Sequence, residues 1–217
     1  MRLDLITTQD GSHTLYRADL DEQYHSVFGA IQESMHIFIR NGFLAVDRNP
    51  VQVFEMGFGT GLNTLLTYIE SQKSNIRVKY YSIEKFPLSR HLWSQLNFPS
   101  ILPEGSEELF ASIHNSEWDK DSESERFCLH KIHGDFLNYS IPSGNDLVYY
   151  DAFSPDKEPE LWKTHLFQKI FDSMKSGGIL MTYSAKGEVR RNLISCGFRV
   201  EKLEGPPGKK HILRAIK

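Results

Sequence analysis

The chain has 217 residues, 40% hydrophobic, 12% aromatic and 24% charged, with a formal net charge of −3. That size holds one domain with a substantial core, and the mix excludes wholesale disorder and non-specific coating of nucleic acid, though not a local basic patch. No window approaches the roughly 20 apolar residues of a membrane span, and the N-terminus has no apolar leader, so a cytoplasmic protein without a membrane partner is expected.

Residues 1–45 read as an N-terminal extension and residues 46–217 as a Rossmann-like core. In the extension, residues 3–8 and 13–17 are strand-like around Asp10-Gly11, a strong hairpin turn. Apolar residues at helical spacing over 30–39 stop at Asn41-Gly42. From residue 51 strands and helices alternate. Strands are expected at 51–58, 77–84, 126–135, 146–153 and 179–184. Helices are expected at 60–71, 88–96, 107–113, 160–174 and 186–195, the fourth stopped by Gly177-Gly178. The acidic stretch 115–126 reads as a surface loop. Cys128 and Cys196 are far apart, and His130 and His133 near Cys128 do not complete a metal site, so neither a disulfide nor a metal is expected.

This alternation predicts an α/β fold with a mostly parallel sheet covered on both faces. Residues 198–205 and 211–217 are both strand-like, with no room for a helix between them. They predict an antiparallel hairpin at the C-terminus, which suits the class I S-adenosylmethionine methyltransferase fold better than a dehydrogenase.

The residues that carry chemistry sit at the predicted strand ends. Gly57, Gly59 and Gly61 surround Thr60 where the first core strand turns into a helix. Glycines there permit a tight turn and close approach of backbone to a ligand. The spacing G-x-G-x-G is not the dehydrogenase G-x-G-x-x-G, and alone it also fits a turn with no ligand. Glu84 ends the second core strand roughly twenty residues on, where an acid can accept both hydroxyls of a ribose. Its plainer reading is a surface acid paired with Lys85. Asp135 ends the third strand, where it could accept from an adenine amine, and Phe136 beside it could stack on the base; strand-end acids are also common helix caps. Asp151 closes the fourth strand, at the reaction centre of an open parallel sheet. A carboxylate there can orient an amine and remove its proton, leaving a nitrogen nucleophile for a methyl sulfonium.

The strings DEQYHSVFGAIQESMHIFI, FEMGFGTGLNTLLT, YYSIEKFPL, DAFSPDKEPELW, GGILMTYSAKGEVRRNL and GPPGKKHILRA run through nearly the whole chain. Together they resemble the methyltransferase domain of the bacterial tRNA wobble-uridine enzymes of the MnmC family, which also occurs free-standing as MnmD. The resemblance implies S-adenosylmethionine as cofactor and methylation of the primary amine of 5-aminomethyl-2-thiouridine to 5-methylaminomethyl-2-thiouridine. The partner it implies is a tRNA anticodon arm with a modified wobble uridine, and no stable protein partner. With no second dinucleotide fingerprint, the reading is methyltransferase alone, without the fused FAD-dependent oxidase.

Position by position, the resemblance assigns Gly57, Gly59, Thr60, Gly61 and Asn63 to the cofactor loop, Glu84 and Lys85 to the ribose side, and Asp135 and Phe136 to the adenine side. Asp151 matches the acid next to the methyl group. Tyr24, Glu33 and Ser34 match an N-terminal motif expected to fold over cofactor and modified base. Glu33, Ser34 and His36 also fit the polar face of an ordinary amphipathic helix. Lys186, Arg190, Arg191, Lys209 and Lys210 are candidates for phosphate contact, or ordinary solvated cations. Phe153 and Tyr183 are candidates to stack on a flipped-out uridine, or core residues. The alternative within the class is a methyltransferase acting on another small amine or a protein. A dehydrogenase conflicts with the glycine spacing, and a non-enzymatic RNA-binding module gives no reason for Asp151.

Overall fold

The structure, a computed structural model, describes residues 2–217. Strands β1 (Leu3–Thr7), β2 (His13–Arg17) and β3 (Glu22–Gln23) form a small antiparallel sheet. Its first hairpin turns at Asp10-Gly11, where Gly11 takes φ 82°. Asp10 ties the turn to the following helix by accepting from the Gln32 N–H at 2.9 Å. Helix α1 (Ala30–Ser34) then widens into π-helical geometry over Met35–Arg40. The sequence periodicity predicts one regular helix here. The change of pitch accompanies three consecutive buried residues, Ile37, Phe38 and Ile39, which no single helix face presents to one neighbour.

The central sheet contains β4 (Val51–Met56), β5 (Val78–Glu84), β6 (Asp121–Glu123), β7 (Phe127–His133), β8 (Asn145–Tyr150), β9 (Met174–Thr182), β10 (Arg199–Glu204) and β11 (His211–Ile216). Its order is β10-β11-β9-β8-β4-β5-β7-β6. The five strands from β9 to β7 are parallel, and β10, β11 and β6 pair antiparallel at the edges. Consecutive residues serve opposite faces: Val53 and Tyr149 enter one core, Phe54 and Tyr150 the other. Helix α2 (Leu62–Ser74), α3 (Arg90–Trp93), α4 (Phe98–Ile101) and α5 (Ser106–Asn115) lie with the first core; α6 (Thr164–Ser173) and α7 (Gly187–Ser195) cover the second. No described helix is long and apolar enough to cross a membrane.

Three expectations need correction. The stretch read as a loop contains β6, a polar edge strand held by its pairing to β7 rather than by apolar burial. Gly177-Gly178 does not stop a helix: α6 already ends at Ser173, and both glycines lie inside β9. There Gly177 has φ 75° beside a register shift, and a Cβ on Gly178 would lie 2.9 Å from the Lys175 carbonyl oxygen. The helix expected over 88–96 is one short turn, α3, with the unexpected α4 following it.

Candidate active site

Chain order places the crossover from β4 through α2 on one side and that from β8 through α6 on the other. The carboxyl ends of β4 and β8 therefore border a topological switch point, where open α/β sheets bind ligands. A cavity of about 470 Å³ opens there. The glycine loop leaves β4, and Asp151 leaves β8 directly beside it. A Cβ on Gly57 (φ 91°) would come to 3.1 Å from the Asp151 carbonyl oxygen, and one on Gly59 (φ 51°) to 3.2 Å from Tyr24 Cδ1. Only glycine lets the loop run this close to both. Gly61 (φ 73°) serves the fold instead: a Cβ there would meet His114 Nε2 at 2.9 Å, outside the cavity lining.

Glu84 Oε2 accepts from the Gly59 N–H at 3.0 Å and Oε1 from the Phe86 N–H at 2.8 Å. Both oxygens keep lone pairs for a ligand hydroxyl. Lys85 reaches Asp135 Oδ2 at 2.8 Å, and this pairing holds the Asp135 carboxyl below its usual range. Phe136 lines the cavity with little exposed surface. It is buried against Phe54 and Tyr150 because β7 ends with that side chain aimed into the second core. The most exposed apolar groups of the lining are Phe86, at 49%, and Leu137, at 40%.

Asp151 is half-buried at the other end of the cavity, with Oδ2 accepting from Asn63 Nδ2 at 2.9 Å. Burial and then the nearby Glu33 charge push its carboxyl up to about 7, against the opposing hydrogen bond from Asn63 and charge of Lys209. Glu33 is buried; Oε2 accepts from the Ser26 N–H at 2.7 Å and Oε1 pairs with Lys209 at 2.7 Å. Tyr24 and Phe153 meet edge to face at 5.1 Å, and Tyr183 donates to the Ala152 carbonyl at 2.9 Å. All four of these side chains line the cavity, as does Lys209.

Ser34, Lys186, Arg190 and Lys210 do not line it. Ser34 is fully buried, because α1 turns it toward the core rather than the opening. The other three are exposed, with Lys186 paired to Asp156. Thr60 is buried, and its hydroxyl meets His25 Nε2 at 2.8 Å. Sequence reasoning missed His25, Arg17, Glu22 and Phe86, all in the lining. Phe86 lies inside the string EKFPL, and an exposed aromatic beside Lys85 was the available signal. Glu22 accepts from the Ser154 N–H at 3.1 Å, fastening the small sheet over the loop after β8.

A loop that admits no Cβ, a strand-end acid with free lone pairs and a cavity of this size fit S-adenosylmethionine. The lining residues that would hold it are Gly57, Gly59 and Glu84, with Asp135 and Lys85 beyond them. A model of a family of S-adenosyl-L-methionine-dependent methyltransferases matches residues 112–217. The tRNA 5-methylaminomethyl-2-thiouridine biosynthesis bifunctional protein MnmC of Leptospira borgpetersenii is 33% identical over 211 residues, covering 89% of this chain and 32% of that protein. The chain thus spans about a third of the length of such curated relatives. The crystal structure of MNMC2 from Aquifex aeolicus matches with a TM-score of 0.82 at 30% identity, over 99% of this chain and 70% of that one. Spermidine synthase from Thermotoga maritima, at TM-score 0.60 and 12% identity, shares the fold.

Proposed function

The chain belongs to the MnmC methyltransferase family, an S-adenosylmethionine-dependent one, and from that membership we propose that it methylates the primary amine of 5-aminomethyl-2-thiouridine at the tRNA wobble position, giving 5-methylaminomethyl-2-thiouridine. The observation that carries this reading is Asp151, a carboxyl pushed up to about 7 beside the glycine loop, with Asn63 holding one oxygen.

S-adenosylmethionine supplies an electrophilic methyl group on a sulfonium. The residues of the chain supply the rest. An alkyl ammonium has no lone pair, so a group must both hold it and take its proton. Asp151 Oδ2 is engaged by Asn63, which leaves Oδ1 to receive the amine. An acid of pKa about 7 is divided between its ionised and neutral forms at physiological pH, the range where a general base works best. Tyr24, Phe153 and Tyr183 give the aromatic walls that a base turned out of its stack requires. Lys157 and Lys85 at the opening, and Lys186, Arg190 and Lys210 outside it, are the cations available to the flanking phosphates. A tRNA substrate supports a cytoplasmic location.

The test is incubation with labelled S-adenosylmethionine and tRNA lacking the wobble methyl group, followed by nucleoside mass spectrometry. Label in 5-methylaminomethyl-2-thiouridine supports the reading. Absence of label from tRNA, with transfer to a small amine, overturns it.

A further inference from the structure

The segment 57–61 that bears the cofactor is Gly-Phe-Gly-Thr-Gly, and its three glycines all have positive φ. Thr60 is its one polar side chain, and it is buried. Two histidines far apart in sequence hold Thr60. Its Oγ1 lies 2.8 Å from His25 Nε2, and its carbonyl oxygen accepts from His114 Nε2 at 3.1 Å. His114 belongs to α5, where its ring stacks on Trp93 at 4.6 Å. His25 belongs to the N-terminal extension, between β3 and α1.

His25 is itself fixed. Its backbone N–H donates to Thr14 Oγ1 on β2 at 3.0 Å, and its buried ring meets Phe98 edge to face at 6.3 Å. Tyr24, just before it, lies against Gly59, where a Cβ would come to 3.2 Å from Tyr24 Cδ1. Two consecutive residues of the extension thus rest on two consecutive residues of the loop. Burial keeps the His25 and His114 rings neutral, at about 4 and about 3. A carbonyl only accepts, so His114 carries its N–H on Nε2; the Thr60 hydroxyl can pair with His25 in either tautomer. Glycine loses more backbone freedom on ordering than any other residue. A loop ordered before the ligand arrives spares the ligand that cost.

We infer that His25 is a positioning residue for S-adenosylmethionine: through the Thr60 hydroxyl it holds the glycine loop in its binding geometry, so that the extension and the cofactor loop are ordered together. His25 acts on the ligand through Thr60, and the two side chains form one unit. The coupling is reciprocal. Docking of the extension raises cofactor affinity, and the bound cofactor steadies the extension.

The test is calorimetry of the full chain with S-adenosylmethionine, joined to hydrogen exchange. His25→Leu and Thr60→Val each weaken binding about tenfold, the worth of one hydrogen bond. The double variant binds no more weakly than either single one, because both remove the same bond. His25→Gln, whose amide offers a donor and an acceptor in place of the ring nitrogen, recovers most of the loss. In the wild type the cofactor slows exchange of the β2 amides, and in His25→Leu it slows them less. If His25→Leu does not fold, Thr60→Val against Thr60→Ser decides: the serine keeps the hydroxyl and binds more tightly than the valine. Unchanged affinity in His25→Leu, equal affinity of Thr60→Val and Thr60→Ser, or a Gln variant no better than Leu overturns the inference. A double variant about a hundredfold weaker than the wild type also overturns it, since His25 would then touch the ligand independently of Thr60. No methyl acceptor enters these measurements, so their outcome is separate from that of the substrate proposed above.

Discussion

Lys209 Nζ lies 2.7 Å from Glu33 Oε1, joining the turn between β10 and β11 to α1 beside Asp151. The two charges act on Asp151 in opposite senses: Glu33 raises its pKa and Lys209 lowers it. Lys209→Met leaves the Glu33 charge unopposed, so Asp151 keeps its proton to higher pH. Glu33→Gln has the reverse effect. A base is useful only when ionised, so the acid limb of kcat against pH moves up in Lys209→Met and down in Glu33→Gln. Steady-state profiles of folded variants check this. An unmoved limb in both means that Asp151 does not govern turnover.

Glu84→Ala removes a carboxylate that accepts from the Gly59 and Phe86 N–H groups. It also removes the acceptor offered to a ribose. Cofactor affinity falls by roughly 1–3 kcal/mol, the worth of charge-assisted hydrogen bonds. Calorimetry with S-adenosylmethionine or its demethylated product reads the loss, and NAD gives no heat with either protein. Unchanged affinity in Glu84→Ala would make Glu84 a loop anchor only.

A buried histidine, His25, and a half-buried one, His114, set an acid-sensitive component of stability. Burial holds His25 down at about 4 and His114 at about 3, from a value of 6.5 in the open chain. Between those limits the unfolded chain binds more protons, so stability falls as pH drops from about 6.5. Glu55 and Asp151, raised to about 8 and about 7, act in the opposite sense. A difference measurement separates the two effects. Urea midpoints of the wild type drop more steeply from pH 6.5 to 4 than those of the double variant His25→Gln/His114→Gln. Parallel curves would show that neither histidine is kept neutral.

The parallel core and the glycine loop were legible because β4 and β8 are short strands rich in Val, Leu, Phe and Tyr that run directly into Gly57 and Asp151. Local chemistry there agrees with the fold. β6 was not legible, since an edge strand of Asp, Ser and Glu has no apolar face to announce it. How far Phe136 turns from the cavity into the core was not legible, because one residue of register decides which way a ring at a strand end faces. Glu55 carried no signal at all. An acid inside a buried strand reads as an exception until its neighbours Ser82 and Thr64 are in place.

If flanking phosphates are held by the cations around the opening, turnover on tRNA falls steeply with added salt through counterion release. The free 5-aminomethyl-2-thiouridine nucleoside is then a poor substrate, because it lacks the remote contacts that position the amine. Rates on both substrates across a salt series decide the matter. Equal, salt-independent rates would identify a small-amine methyltransferase.

Asp151→Asn tests the reaction centre directly. An alkyl amine resembles lysine, with a reference pKa of about 10.4, so it arrives as an ammonium. A carboxylate beside it stabilises that cation and also accepts its proton as the nitrogen attacks. The asparagine preserves size and an acceptor for the Asn63 N–H, but removes the charge and the base. Turnover falls by roughly 10²–10⁴-fold, the usual loss for a general base, while cofactor affinity changes little because Glu84 and the glycine loop are untouched. Raising the pH partly rescues the variant, since solvent then supplies neutral amine without help. Wild-type turnover depends less on pH above about 7, where Asp151 is already ionised. Near wild-type turnover of Asp151→Asn at neutral pH would mean that Asp151 only shapes the loop after β8, and that the proton leaves by another route.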